Sequence, residues 1–304
     1  MGEGFETSGI SKDILEDIAS FRRQYPVSED LAARIAKPKY HYIGREIIES
    51  AVTAILCGEN VLLTGPKATG KNVLAQNLSE AFGRPEWDIS FHIDMDSSYL
   101  IGTDTYDGEK VVFRPGPIYE SAVNGGFAVM DEINMARNEA LAVLHSTLDY
   151  RRTIDVPGYE HITVAPSARF IGTMNYGYAG TRDLNEALAS RFVIIDMPVL
   201  SPDDLTHLII DDFPDIQPAA AKQFSLLFDD IRKKCDSSEI STKALDLRGM
   251  LDALRLIQRG IPVFRALKMC IINKTFDEYE RGLVTDVIDS RIGRKMVCAQ
   301  VFGR

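Results

Sequence analysis

Apolar residues recur along this chain in two rhythms that sort it into segments. Helical spacing comes first: Ile10, Ile14, Leu15 and Ile18 share one face, and Leu31 and Ile35 follow after Pro26, predicting two helices over 10–36. A further amphipathic helix is predicted over 47–56, with Gly58 as its stop signal. The second rhythm is a short apolar run ended by a polar residue or glycine. Val61-Leu62-Leu63 and the stretches 87–93, 127–130, 169–175 and 193–197 have this form and are predicted strands. Phe127-Ala128-Val129-Met130 has no polar residue at all, the pattern of a strand buried on both faces of a parallel sheet.

The connections read as a short helix plus a hairpin over 94–116, a helix from Pro117 to about Asn124, and a helix over 139–148. Alternation in 150–155 and 161–164 around Pro157-Gly158 predicts a β-hairpin, and 185–189 a short helix. From 201 to 292 helical patterns alternate with breaks at Pro214, Pro218, Gly249 and Gly260-Ile261-Pro262, without a strand pattern, and 245–257 has helical apolar spacing. The expected organisation is therefore a helical lead-in over 1–40, an α/β domain with a parallel sheet over 41–200, and a helical domain over 201–304.

Chemistry enters where the first strand breaks. Gly65-Pro66-Lys67-Ala68-Thr69-Gly70-Lys71-Asn72-Val73 has the Gly-x4-Gly-Lys spacing of a phosphate loop between strand and helix. Backbone N–H groups of such a loop, with the positive end of the following helix, cradle phosphate oxygens, and Lys71 would reach the β- and γ-phosphates. The pattern wants Ser or Thr after the lysine as a Mg²⁺ ligand, and here the residue is Asn72. Taken alone, the segment also fits a strand-to-helix turn with a solvated lysine. The run 127–130 ends in Asp131-Glu132, two carboxylates at the edge where an α/β sheet places its ligands. Asp131 would hold Mg²⁺ and Glu132 would deprotonate the attacking water; an acidic helix N-terminus is the plain alternative.

Composition narrows the classes. With 304 residues, 45% hydrophobic and 26% charged, the chain has the make-up of one large or two ordinary globular domains. A net charge of −10 argues against non-specific nucleic-acid binding, which needs a basic footprint. Cys57, Cys235, Cys270 and Cys298 lack Cys-x-x-Cys pairing and read as buried small residues in a reducing compartment. His92, His145 and His161 have no ligand spacing, so a catalytic metal held by the protein alone is not expected. Trp87 and His92 read as packed or edge residues. Residues 1–30 hold no signal-peptide core, residues 1–6 lack the hydroxyl that myristoylation wants, and no run is long enough to span a membrane; the expected location is cytoplasmic.

Read this far, the chain resembles the AAA+ ATPases and, within them, the MoxR-like group, which shares its architecture with dynein-related ATPase modules. The matching stretches come in order. Residues 65–72 resemble the nucleotide loop, 111–117 the Phe-x-Pro-Gly-Pro approach and 128–136 the Asp-Glu-Ile-Asn strand end. Residues 170–175 resemble the sensor strand and 180–192 the Leu-x-Glu-Ala…Arg-Phe segment. The resemblance implies a three-layer αβα core followed by a helical lid, with ATP and Mg²⁺ as cofactors. It implies that Asn175 is sensor 1, Arg191 an arginine finger inserted into the neighbouring subunit's nucleotide, and Arg248 the lid's sensor arginine. Tyr42 and Ile43 look like the stretch that packs on adenine. A finger acting in trans implies a homo-oligomer, most simply a hexameric ring. The segments 99–113 and 151–164 resemble two protrusions that contact partners, and relatives often work beside a von Willebrand factor A-domain protein. The chain departs from the pattern at Asn72, at Lys67-Ala68 in place of the usual Pro/Gly pair, and at Met135 where many relatives carry arginine.

The expected function is that of an ATP-hydrolysing, chaperone-type motor acting on a protein client. Asn72 motivates an alternative, a nucleotide-regulated oligomeric scaffold with little turnover. A nucleic-acid motor is the third reading; the acidic balance and the absence of interleaved aromatic and basic residues weigh against it.

Overall fold

The computed structural model describes residues 9–156, 159, 161–176 and 183–303. The Pro157-Gly158 turn, residues 180–182 of the Leu-x-Glu-Ala segment and the myristoylation stretch 1–6 lie outside the described residues. Tertiary contacts divide the chain into two compact units, Met1–Pro66 with Gly70–Pro198, and Lys67–Thr69 with Val199–Arg304.

The first unit is built on five parallel strands: β1 (Val61–Thr64), β2 (Glu86–Ser90), β5 (Phe127–Asp131), β8 (Arg169–Met174) and β9 (Val193–Asp196), in the order β2-β5-β8-β1-β9. Successive side chains of a strand face opposite ways, and this sheet buries both faces. Val61 and Leu63 of β1 join Phe127, Val129, Ile171 and Ile195 against the helices Lys12–Gln24, Arg45–Leu56 and Lys71–Ala81. Leu62 faces the other way with Ile89, Ala128, Met130 and Phe170, where Ile118 and Ala122 of the helix Pro117–Val123 cover them. The result is the expected three-layer αβα core. Two antiparallel hairpins stand outside the main sheet: β3 (Gly102–Tyr106) with β4 (Val111–Pro115), and β6 (Thr153–Ile154) with β7 (Ile162–Thr163).

The parallel register aligns the C-terminal ends of four strands. Thr64 pairs with Met174 of β8 and Asp196 of β9, while Met130 pairs with Gly172. The opposite rim is held by buried arginines. Arg169 Nε donates to the Ile55 carbonyl at 2.8 Å, and its Nη1 to the Pro166 and Ala168 carbonyls at 2.7 and 2.8 Å. Arg84 Nε donates to the Gly125 carbonyl at 2.8 Å and Nη1 to that of Tyr25 at 2.5 Å.

The second unit contains helices and no strand among its described residues, the longest being Pro218–Asp236. Its helix starts follow sequence chemistry: Pro202 sits in the first turn after Ser201, whose hydroxyl accepts from the Asp204 N–H, and Asp277 caps Glu278–Arg291 by accepting from the Glu280 N–H.

Four expectations change. The helix over 139–148 is two short ones, Asn138–Leu141 and Leu144–Leu148. The backbone between them stays right-handed, but His145 N–H bonds three residues back to Ala142, interrupting the α ladder. The strand over 87–93 stops at Ser90. Gly249 does not break a helix but lies inside Leu247–Gln258, where a Cβ would come within 2.5 Å of the Cys270 carbonyl; it permits close packing. The cysteines are not buried: Cys57 is exposed and the other three are intermediate.

Replacing Arg169 by Met should remove three hydrogen bonds from a charged donor, although the Ile55 carbonyl keeps the Gly58 N–H and the Ala168 carbonyl keeps Arg152 Nη2, and destabilise the protein by roughly 2–3 kcal/mol, read as a lower denaturation midpoint. An unchanged midpoint would mean that these hydrogen bonds carry no net stability.

Candidate functional site

β1 delivers the loop at its C-terminal end. Gly65 (φ 145°), Ala68 (φ 64°) and Gly70 (φ 84°) turn the backbone in the left-handed region before the helix Lys71–Ala81 starts. Ala68 is the costly position, since a Cβ disfavours this conformation by about 1–2 kcal/mol. Gly70 is favoured by contact as well as by φ: a Cβ there would lie 3.1 Å from the Tyr42 ring, which would have to give way. Tyr42 is buried, its N–H donates to Asn77 Oδ1 at 2.7 Å, and Asn77 Nδ2 donates to the Tyr40 carbonyl at 2.9 Å. Asn77 thus clips the Tyr42 segment to the loop's own helix. Ile43, its neighbour, is 38% exposed.

Lys71 is 7% exposed, and its Nζ donates to the Gly65 and Pro66 carbonyls at 2.9 and 2.7 Å. Burial pushes its pKa down to about 8, against the pull of the Asp131, Glu132 and Asp196 carboxylates, which favour the charged form.

The acid pair stands two strands away, at the end of β5 beyond β8. Thr173 Oγ1 donates to Asp131 Oδ1 at 2.6 Å and accepts from the Glu132 N–H at 3.1 Å. Asn175 Nδ2 donates to Glu132 Oε1 at 3.0 Å, and Asn134 Nδ2 donates to the Asn175 carbonyl at 3.2 Å. Glu132 has φ 53° and ψ 46°, a left-handed conformation rare for a side chain of this kind, and it turns the carboxylate toward β8. On the other side of β1, Asp196 Oδ1 accepts from Tyr176 Oη at 2.6 Å and from Thr64 Oγ1 at 3.3 Å.

The residues singled out in the sequence separate into groups. Lys71, Asp131, Glu132 and Asn175 come together at one rim of the sheet. Asn72 and Val73, half-buried, open the helix behind the loop. Arg191 is elsewhere, just before β9 and so at the opposite rim. Its Nε donates to the His145 carbonyl at 3.0 Å, Nη1 donates to the Ala187 carbonyl, and Nη2 lies 3.7 Å from Asp149 Oδ2. Arg248 is an exposed residue near the start of Leu247–Gln258 in the second unit. Thr173, Thr64, Tyr176 and Asp196 were not among the sequence candidates. Strand periodicity held the clue for Thr173, which stands two residues before Asn175 and so on the same face; a polar end on the last strand held it for Asp196.

The position of the Lys71 pKa would make any phosphate binding at this lysine pH-dependent. Without phosphate, Lys71 loses its proton above about pH 8, whereas a bound phosphate would keep it charged. Binding above that pH therefore takes up a proton, and affinity for ATP should fall roughly tenfold between pH 7 and pH 9. Titration with a fluorescent ATP analogue checks this; Lys71→Met should bind weakly with a flat profile, and a flat wild-type profile would overturn the assignment.

Comparison with known proteins gives the site its context. Residues 60–192, which run from the start of β1 to the start of β9, match the family model for the AAA domain (dynein-related subfamily). The chain is 31% identical over 286 residues to the uncharacterized protein YojN of Bacillus subtilis (strain 168), covering 92% of this chain and 93% of that one. It is 35% identical over 237 residues to the uncharacterized protein SAB1265c of Staphylococcus aureus (strain bovine RF122 / ET3-1), covering 76% and 90%. A crystal structure from Cytophaga hutchinsonii ATCC 33406 aligns over 93% of this chain and 98% of that one, with a TM-score of 0.47 and 15% identity, too remote to carry an argument. The phosphate loop, the acid pair and the strand bearing Asn175 all fall inside the matched span, and the chain belongs to the AAA+ ATPases through an AAA domain of the dynein-related subfamily.

Proposed function

We propose that this protein is an ATP-hydrolysing motor of the MoxR-like group that remodels or activates a protein client. One observation carries the reading: beside the phosphate-loop lysine, each member of the acid pair is held by a side chain of the neighbouring strand, Asp131 by Thr173 and Glu132 by Asn175. Phosphoryl transfer to water needs positioning more than covalent help. In this reading the loop 65–73 binds the phosphates, with Lys71 exchanging its two carbonyl partners for β- and γ-oxygens. Glu132 takes the proton of the attacking water as the new P–O bond forms and ADP departs. Asn175 aims that carboxylate and contacts the water or γ-phosphate. Tyr42 and Ile43 pack on the adenine.

The donor set suits Mg²⁺. Asp131 and the Asn72 amide offer hard oxygens, the kind Mg²⁺ takes from one or two side chains beside water and substrate phosphates. When bound, Mg²⁺ neutralises charge on the β- and γ-phosphates.

The nucleotide-binding domain is assigned to 41–200 and the lid to 201–304, with Arg248 reporting the γ-phosphate to the lid. Arg191 sits at the rim opposite the loop of its own chain, which supports its use by a neighbouring subunit in a homo-oligomeric, hexameric ring. Tyr99, Tyr106 and Val111, each more than half exposed on and beside the β3–β4 hairpin, support a protein client, a von Willebrand factor A-domain protein among the candidates. The net charge of −10 weighs against nucleic acid as the partner. No described helix is long and apolar enough to cross a membrane, and the assigned location is the cytoplasm.

Phosphate release measured with malachite green tests turnover. Glu132→Gln should retain ATP binding and lose activity by at least about 100-fold; equal rates would leave the scaffold reading, which Asn72 favours. On that reading Asn72→Thr raises turnover from near zero. The trans role of Arg191 is tested by co-assembling Glu132→Gln with Arg191→Ala subunits, each inactive alone. A random one-to-one ring should recover about a quarter of wild-type turnover, the share of interfaces pairing an intact acid with an intact arginine. No recovery would put Arg191 outside the site.

A further inference from the structure

The strand that carries Asn175 makes a second connection. Past Met174 the chain leaves β8, and the next two side chains diverge. Asn175 turns toward β5 and donates to Glu132; Tyr176 turns the other way, over the end of β1, and donates from Oη to Asp196 Oδ1 at 2.6 Å. Met174, Thr64 and Asp196 are register partners across β8, β1 and β9, so the Tyr176 ring and this bond together link strands two spacings apart, roughly 10 Å, at the end of β1. The acceptor is itself fixed. Thr64 Oγ1 donates to the same oxygen at 3.3 Å, and the Met197 N–H donates to the Thr64 carbonyl at 2.8 Å. The Asp196 bond also raises the Tyr176 pKa, so the phenol remains a donor at neutral pH.

We propose that Tyr176 and Asp196 are positioning residues for hydrolysis: their hydrogen bond anchors the strand end from which Asn175 holds the Glu132 carboxylate. The proposal rests on the reading of Glu132 as general base. Asn175 lies beyond the strand ladder, and its backbone is fixed from two sides. Asn134 Nδ2 holds the Asn175 carbonyl on one side, and the Tyr176 phenol, itself 39% exposed, ties down the other. Removing the phenol oxygen leaves the ring and the phosphate loop in place and frees the turn. Misplacing a catalytic group by a fraction of an ångström slows the chemical step while leaving ground-state binding alone. The same carboxylate favours the charged form of Lys71 and sits at the end of β9, two residues before the first unit ends at Pro198. One bond thus joins the acid pair's support to the strand that leads out of the nucleotide-binding unit.

The test is a double-mutant cycle on the full chain, with Tyr176→Phe, Asp196→Ala and the pair, reading kcat and KM for ATP beside Glu132→Gln. Tyr176→Phe should lower kcat about 5–10-fold with KM within about twofold of wild type. In the Asp196→Ala background the same change should alter kcat by less than about twofold, because the bond is already gone. A Tyr176→Phe enzyme with wild-type kcat, an effect confined to KM, or an equal loss in both backgrounds would each overturn the positioning role. Wild type no faster than Glu132→Gln would instead overturn hydrolysis itself, and the positioning role with it.

Discussion

A lysine ammonium that is only 7% exposed is the constraint around which this site is arranged. Burial disfavours its charge, and its pKa falls to about 8. What keeps it a cation near neutrality is the company at the sheet's C-terminal rim: two loop carbonyls at 2.9 and 2.7 Å and the field of Asp131, Glu132 and Asp196. Those carboxylates reach the rim because the strands are parallel and in register, ending side by side. An antiparallel neighbour would have delivered its other end. The parallel sheet in turn exists because its strands can bury both faces, which the apolar residues of β1, β5 and β8 supply. The chain of causes runs from strand composition to sheet sense to the charge state of one side chain.

The same rim stores conformational cost. Ala68 and Glu132 hold left-handed backbone without being glycine. At Glu132 the return is visible, since the turn brings its carboxylate to Asn175 Nδ2 and its N–H to the Thr173 hydroxyl. Thr173 is satisfied in both directions, donating to Asp131 and accepting from Glu132, so one hydroxyl fixes both acids relative to β8. Nothing in the structure explains why Ala rather than Gly stands at position 68.

How much of this was legible in the sequence depended on the range of the interaction. The phosphate loop and the acid pair are local: glycine spacing and a run of four apolar residues ending in two acids are readable without partners. The five strands of the sheet and the helices of the second unit were legible for the same reason, through periodicity and breakers. Gly249 was misread because a glycine inside a helical pattern looks like a stop, whereas the reason for it is a carbonyl on another helix. The helix over 139–148 reads as continuous because its backbone does stay right-handed, and only the hydrogen-bond pattern changes. Thr173, Tyr176 and Asp196 were missed because each acquires its meaning from a neighbouring strand. A threonine in a strand is ordinary until the sheet order sets it beside an aspartate.

Arg191 shows where the logic of one chain stops. β1 and β9 start together, with Val61 paired to Val193, so a guanidinium carried just before β9 lies a full strand length, roughly 13 Å, from the rim that holds Lys71. It is not idle there. Asn60 Nδ2 binds the Arg191 carbonyl at 3.2 Å and that of Leu148 at 2.8 Å, fixing its backbone, while the side chain bonds the His145 carbonyl and lies beside Asp149. Asp149 is shared with Arg151, which donates to it at 2.7 Å. With Nε and Nη1 each donating to a carbonyl and Nη2 only near a shared carboxylate, the guanidinium still keeps donor capacity to spare, because it has five N–H groups. On the proposed reading this division of the sheet is what makes assembly matter. One rim supplies phosphate binding and base, the other supplies a cation that its own phosphate loop cannot use, and only a head-to-tail contact between two copies brings the two rims to one nucleotide.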